Sequence, residues 1–91
     1  MSEVVIKKKP ENSELENLAV NTWPVWIKEP SRFVKTYEMP ETCYILEGEA
    51  KITPKGKEPL VISSGVLIIF PSPCECDWEI IKKVKMRYLL G

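Results

Sequence analysis

From residue 32 onward the chain alternates apolar and polar residues in short runs that proline, glycine and serine interrupt. "RFVKTYE" comes first. Then, beyond Pro40, come "TCYILEGEAKIT", the turn "PKGK", "EPLVI", the turn "SSG", "VLIIF", the turn "PSP", and "CECDWEI" leading into "VKMRYLL". A period of two is the signature of strands with one face buried, so six or seven short strands are expected. The eight prolines and four glycines fall mostly at the breaks, which makes the connections tight. An antiparallel barrel or sandwich is the economical arrangement, because closure removes exposed sheet edges.

The segment before residue 32 reads differently. "VVIKKKP" is a short β-prone run stopped by lysines and a proline. In "SELENLAV", Ser13 with Glu16 three residues on makes a capping box, so one short helix is expected there with Leu15 and Leu18 turned to the core. In "NTWPVW", Pro24 blocks any helix, leaving Trp23 and Trp26 to cover a barrel end, to line an interface or to stack on a ligand. The organisation expected is a single domain over 1–91, with an N-terminal strand and helix over about 1–20 and a barrel over about 21–91.

At 91 residues there is room for one modest core, burying about 60 to 65% of the unfolded chain's surface. Pairing of two copies through an apolar sheet face, a homodimer, is therefore expected. Thirteen basic and thirteen acidic side chains cancel, so nothing favours nucleic acid or an anionic membrane. The longest apolar run, "VLIIF", is far short of a membrane span, and a soluble protein is expected. Three cysteines without a CxxC spacing do not form the disulfide framework of a small secreted protein. A reducing, cytoplasmic setting is expected, with an organellar location after removal of a transit peptide left open.

In the last run Val84, Met86, Tyr88 and Leu90 share one face, and Lys83, Lys85, Arg87 and Leu89 the other. The basic stripe is either an anion contact or the solvated side of an amphipathic strand.

Two stretches resemble the strand-turn-strand motifs of the cupin superfamily: Glu41, six residues, Gly48; and Gly65, five residues, Pro71. "WPVW", "ETCYILEG" and "FPSPCECDW" are similar to short single-domain cupins related to the cupin domains of ureidoglycine aminohydrolase and of an ethanolamine-utilisation protein. The resemblance runs from about Val4 to Leu90 and implies an all-β fold, a small cupin-type antiparallel β-barrel (jelly roll) with one short N-terminal helix. Val66 stands where related sequences often have aspartate and Pro73 where they have glycine, so both turns depart from the pattern.

In metal-binding cupins two histidines precede the first-motif glutamate and a third follows the second-motif proline; those positions are Lys35, Tyr37 and Cys76 here, and the chain has no histidine. The resemblance thus implies that the trihistidine site is absent and that Cys76 looks inward. Strand periodicity then places Cys74 and Trp78 beside it, Lys35 and Tyr37 on the first strand, and Glu41 and Cys43 on the next. The expected pocket lining is Lys35, Tyr37, Glu41, Cys43, Cys74, Cys76 and Trp78.

No cofactor is expected. A metal held by Glu41 and Cys76, with Cys43 and Tyr37 as further donors, is the weaker alternative, since lysine 35 would compete for the carboxylate. Cys74 and Cys76 as a redox pair would strain a disulfide across a strand. Tyr37, Glu41 and Lys35 together offer an acid, a base and an electrostatic partner for metal-independent chemistry on a sugar or carbonyl compound. The reading carried forward is binding of a small polar or anionic molecule, with Lys35 as anchor. That enzyme, or a structural or interaction module with a filled barrel, are the alternatives.

Overall fold

A computed structural model describes residues 4–91; Met1–Glu3, at the start of the expected N-terminal unit, lie outside the described residues. Seven strands run as β1 (Val5–Lys7), β2 (Val25–Lys28), β3 (Ser31–Tyr37), β4 (Glu41–Pro54), β5 (Leu60–Ser63), β6 (Leu67–Phe70) and β7 (Cys74–Leu90). A helix, α1 (Asn12–Asn17), and a 3-10 turn over Val20–Thr22 separate β1 from β2. Every strand pair is antiparallel.

The fold is organised by its two long strands. Over its first half β4 lies between β6 and the end of β7, with Cys43 opposite both Ile68 and Tyr88. Over its second half it lies between β5 and the start of β7, with Ile52 opposite Leu60 and Trp78. On its far side β7 pairs with β3 through its first half and with β2 through its second. Two strands thus pass from one sheet to the other and wrap a common interior, as strands do when bulges turn a corner.

The corner is visible in the register, which shifts between Ile45 and Ala50 against β7. Gly48 sits there at φ +99°, and a Cβ on it would stand 2.2 Å from the Lys83 carbonyl oxygen. Only glycine lets the two backbones meet this closely.

The period-two pattern is reproduced in burial. Ile45, Ile52, Ile62, Ile68, Phe70, Trp78, Val84 and Met86 are sealed inside, joined by Tyr37, Cys43 and Cys76. A second cluster outside the barrel wall joins Val20, Trp23 and Leu67, with Leu15 and Tyr44 against it.

Several expectations are corrected. The hydrogen-bonded path is open, running β1-β6-β4-β7-β2 with β3 and β5 branching from it, so the jelly roll wraps without closing into a ring. "CECDWEI" and "VKMRYLL" are one continuous strand, and a strand not expected from the sequence, β2, follows Pro24, while Trp23 and Trp26 pack as structural aromatics. Ser13 is not the cap: α1 begins two residues earlier than a Ser13 cap would set it, from an extended Glu11 with no side-chain cap. Leu18 points outward because the chain turns at the left-handed Ala19 before reaching the wall, and Leu90 is exposed where β7 outruns the core.

Candidate functional site

The first strand of the site, β3, alternates so that Phe33, Lys35 and Tyr37 look inward, each opposite a β7 residue: Trp78, Cys76 and Cys74 respectively. β4 enters at Glu41, which lies opposite Phe70 and Leu90 and is 4% exposed. This register gathers Lys35, Tyr37, Glu41, Cys43, Cys76 and Trp78 in the interior. They form two short networks.

In the polar network the Lys35 ammonium reaches both Glu41 oxygens, at 3.3 and 3.2 Å, and the Cys43 Sγ–H donates to Oε2 at 3.1 Å. The ammonium also lies 4.9 Å from the centre of the Tyr37 ring and 5.9 Å from that of Trp26, within cation–π range. Its positive charge is therefore already spent on a carboxylate and two ring faces. In the aromatic network the Trp78 Nε1–H donates to the Tyr37 hydroxyl at 3.1 Å. Tyr37 stacks on Phe70 at 4.3 Å, and Trp78 lies parallel to Phe33 at 5.9 Å.

Burial keeps the Tyr37 phenol and the Cys43 and Cys76 thiols neutral. The Cys43 thiol is pushed well up by desolvation and then by the Glu41 carboxylate it faces. Tyr37 is pushed up in the same way, by burial and by Cys43. Cys76 is pushed up to about 12 by burial and by its contact with Cys74. Around neutral pH the interior offers thiols and a phenol, not thiolates or a phenolate.

The same side chains make a poor cation site. The cupin positions that hold histidines in metal-binding relatives carry an ammonium, a protonated phenol and a protonated thiol. The remaining glutamate is occupied by that ammonium. Such a set does not fit a divalent cation. Among the described residues no three histidine, cysteine, aspartate or glutamate side chains gather as metal ligands.

Cys74 differs from the rest. It is half-buried at the start of β7, with its Sγ 3.6 Å from that of Cys76. It lines an open cleft of about 400 Å³ at the barrel end, between the β4–β5 turn (Pro54, Lys55, Lys57, Glu58, Leu60) and the β6–β7 turn (Pro71, Pro73, Glu75), with Val4 beside them. Of the cleft residues on these turns the sequence marked Pro71 and Pro73, but as turn positions and not as the wall of a cleft.

The basic face of β7 is engaged locally. Arg87 Nη1 donates to the Trp23 carbonyl at 2.8 Å, and Lys83 lies 3.6 Å from Glu29. It therefore behaves as the solvated side of an amphipathic strand.

An all-β jelly roll whose two long strands wrap a packed interior, with a pocket at one end and no histidine at the inner positions, defines a small cupin. Comparison with known proteins carries this further. Residues 15–88 match the EutQ-like cupin domain, and the chain belongs to that family. It is similar to a solved DUF861 family protein from Thermotoga maritima, with 40% identity, a TM-score of 0.93, and cover of 98% of this chain and 100% of that one. The fold is also shared with the Clostridium difficile EutQ protein, at 21% identity and a TM-score of 0.66 over 72% of this chain and 52% of that one. A protein of unknown function (DUF1255) from Acidithiobacillus ferrooxidans is similar at 17% identity and a TM-score of 0.68, over 69% of this chain and 60% of that one. No curated protein matches the chain.

Proposed function

We propose that the protein is a metal-independent, small-molecule-binding cupin domain whose ligand occupies the cleft at the barrel end. The observation that carries this reading is the cleft itself: about 400 Å³, within the range of about 300 to 1,000 Å³ usual for small-molecule sites. Its walls are apolar at Val4, Pro54, Leu60, Pro71 and Pro73, with Lys55, Glu58 and Glu75 at the rim. That combination suits a small molecule with an apolar body and a charged end. Lys35 is a poorer anchor than its sequence position implied, because an incoming anion must displace Glu41, which is buried and has little other solvation.

The test is a thermal-shift screen of small carboxylic acids and amines against three proteins. Leu60→Trp fills the cleft from a partly buried position at the start of β5, and it is expected to abolish the response while the protein stays folded. Lys35→Met is expected to keep it. A response lost in Lys35→Met and kept in Leu60→Trp moves the ligand to the interior and overturns the assignment.

A second reading, a structural or interaction module, is favoured by the interior packing, in which Phe70, Ile45, Ile52, Trp78 and Met86 are at most 1% exposed. Its surface is β2, which among the described residues pairs only with β7 and exposes Val25 at 42% and Ile27 at 53%. We place a homodimer contact there. Light scattering at micromolar concentration is expected to give twice the chain mass, falling to one chain in Ile27→Glu; a monomer in the native protein removes the proposal. The three free thiols support a reducing, cytoplasmic setting. Among the described residues no helix is long and apolar enough to cross a membrane.

A further inference from the structure

The contact between Cys74 and Cys76 is left unused by the reading above. The two side chains lie on one face of β7, so their Cα atoms are separated by about 6.6 Å, twice the strand rise. That is close to the outer limit of about 6.8 Å for a disulfide. A direct bond would require the strand to pucker. Yet the sulfurs already lean together, to 3.6 Å.

A bridging atom meets this geometry without moving the backbone. With bonds to sulfur of about 2.3 Å, a separation of 3.6 Å corresponds to an angle of about 103° at the bridging centre. That is the bent geometry of a pyramidal trivalent centre. A linear two-coordinate ion needs its sulfurs about 4.6 Å apart at the same bond length. Tetrahedral zinc would accept the angle but needs two further ligands. Among the described residues no third such ligand joins the pair, and the Cys43 thiol is held by Glu41.

Access comes from one side. Cys74 lines the cleft and Cys76 lies buried behind it, so a reagent meets the outer sulfur first and closes on the inner one.

We infer that Cys74 and Cys76 form a two-sulfur chelating site for trivalent arsenic compounds, entered through the cleft. Soft thiol ligands select soft centres over hard ones. No change of oxidation state is involved. With phenylarsine oxide as the probe, two As–S bonds form, the arsenic–oxygen bond breaks, and both thiol protons leave with the oxygen as one water.

The experiment adds one equivalent of phenylarsine oxide to the reduced full chain and reads intact mass. The expected product is a single adduct at the mass of the probe less one water, stable to excess monothiol and removed by a dithiol. Cys74→Ser is expected to lose this adduct, and Cys43→Ser to retain it. Cys76→Ala repeats the test on the inner sulfur, with the folded state checked by circular dichroism. The inference is overturned if the adduct survives in Cys74→Ser, if a monothiol strips it from the native protein, or if the native protein takes no probe. Formation of an intramolecular Cys74–Cys76 disulfide under mild peroxide would also overturn the geometric argument, since it would show that the sulfurs close directly.

Discussion

Replacing Lys35 by methionine is the sharpest test of what holds the interior together. Methionine keeps most of the stem that packs over Tyr37 and Trp26 but removes the ammonium. Among the described residues Glu41 then retains the weak Cys43 Sγ–H as its side-chain partner, at 4% exposure. Removing one partner of a buried ion pair costs about 3 to 5 kcal/mol. The Lys35 side chain is 33% exposed, so water screens part of the attraction and the expected loss is about 2 to 3 kcal/mol. For a domain of this size that lowers Tm by about 10 to 20 °C. Urea titration followed by tryptophan fluorescence measures the loss directly, with an unchanged m-value showing that the same surface unfolds. The double variant Lys35→Met with Glu41→Gln removes both charges and is expected to recover more than half of it. A cost below about 0.5 kcal/mol for Lys35→Met, or a double variant weaker than the single one, refutes the view that the ammonium compensates a buried carboxylate.

Three further outcomes follow from the same interior. Because burial raises Cys43 and Cys76, the latter to about 12, the folded state holds protons that the unfolded chain releases. Their contribution is therefore complete below the ordinary thiol range and is lost as pH rises towards the folded values, at about 1.4 kcal/mol per pH unit for each thiol above about pH 9. Urea midpoints between pH 8 and 11 check this. Cys43→Ala should flatten the slope, and a native curve with no alkaline slope refutes it. Gly48→Ala is expected to cost about 3 kcal/mol or more, because its Cβ meets the Lys83 carbonyl at 2.2 Å. Gly56→Ala, also at positive φ but facing open space, should cost about 1 kcal/mol, and equal losses at the two sites would contradict the close approach. Tyr37→Phe removes the acceptor of the Trp78 indole and should destabilise by about 1 to 2 kcal/mol, read as a shifted urea midpoint; no shift would show that the indole has another partner.

How far the sequence led depended on whether a residue's surroundings are local. Lys35 and Tyr37 were placed on one face by alternation, and Cys43 and Trp78 likewise, because a strand with one buried face records that face in its own composition. β2 was not legible, since Pro24 and two indoles dominate its neighbourhood. What makes it a strand is pairing with β7, with Val25 opposite Arg87. The continuity of β7 was hidden by "IIKK", where alternation lapses. The lapse is physical: the strand changes sheets there, against Gly48, so no single face stays buried. The helix start was misplaced because a capping box is only a local option, and the ion pair between Lys7 and Glu14 joins α1 to β1 instead. The cleft as a whole was not legible, although Cys74, Pro71 and Pro73 were named, because it is made by two turns distant in sequence.

The family positions explain why the interior is built as it is. Where metal-binding cupins set imidazoles around a cation, this chain sets an ammonium against the glutamate that survives. A positive charge still answers the Glu41 carboxylate, but it is covalently tethered to β3 and carries no open coordination position. Tyr37 and Cys76 then no longer need to be ligands, and both are free to pack: the phenol on Phe70 and the Trp78 indole, the thiol beside Cys74. The side chains at the imidazole positions and the packing of the interior thus go together in this chain. With the interior packed, the open space lies at the barrel end, where two turns leave a cleft with Cys74 in its wall.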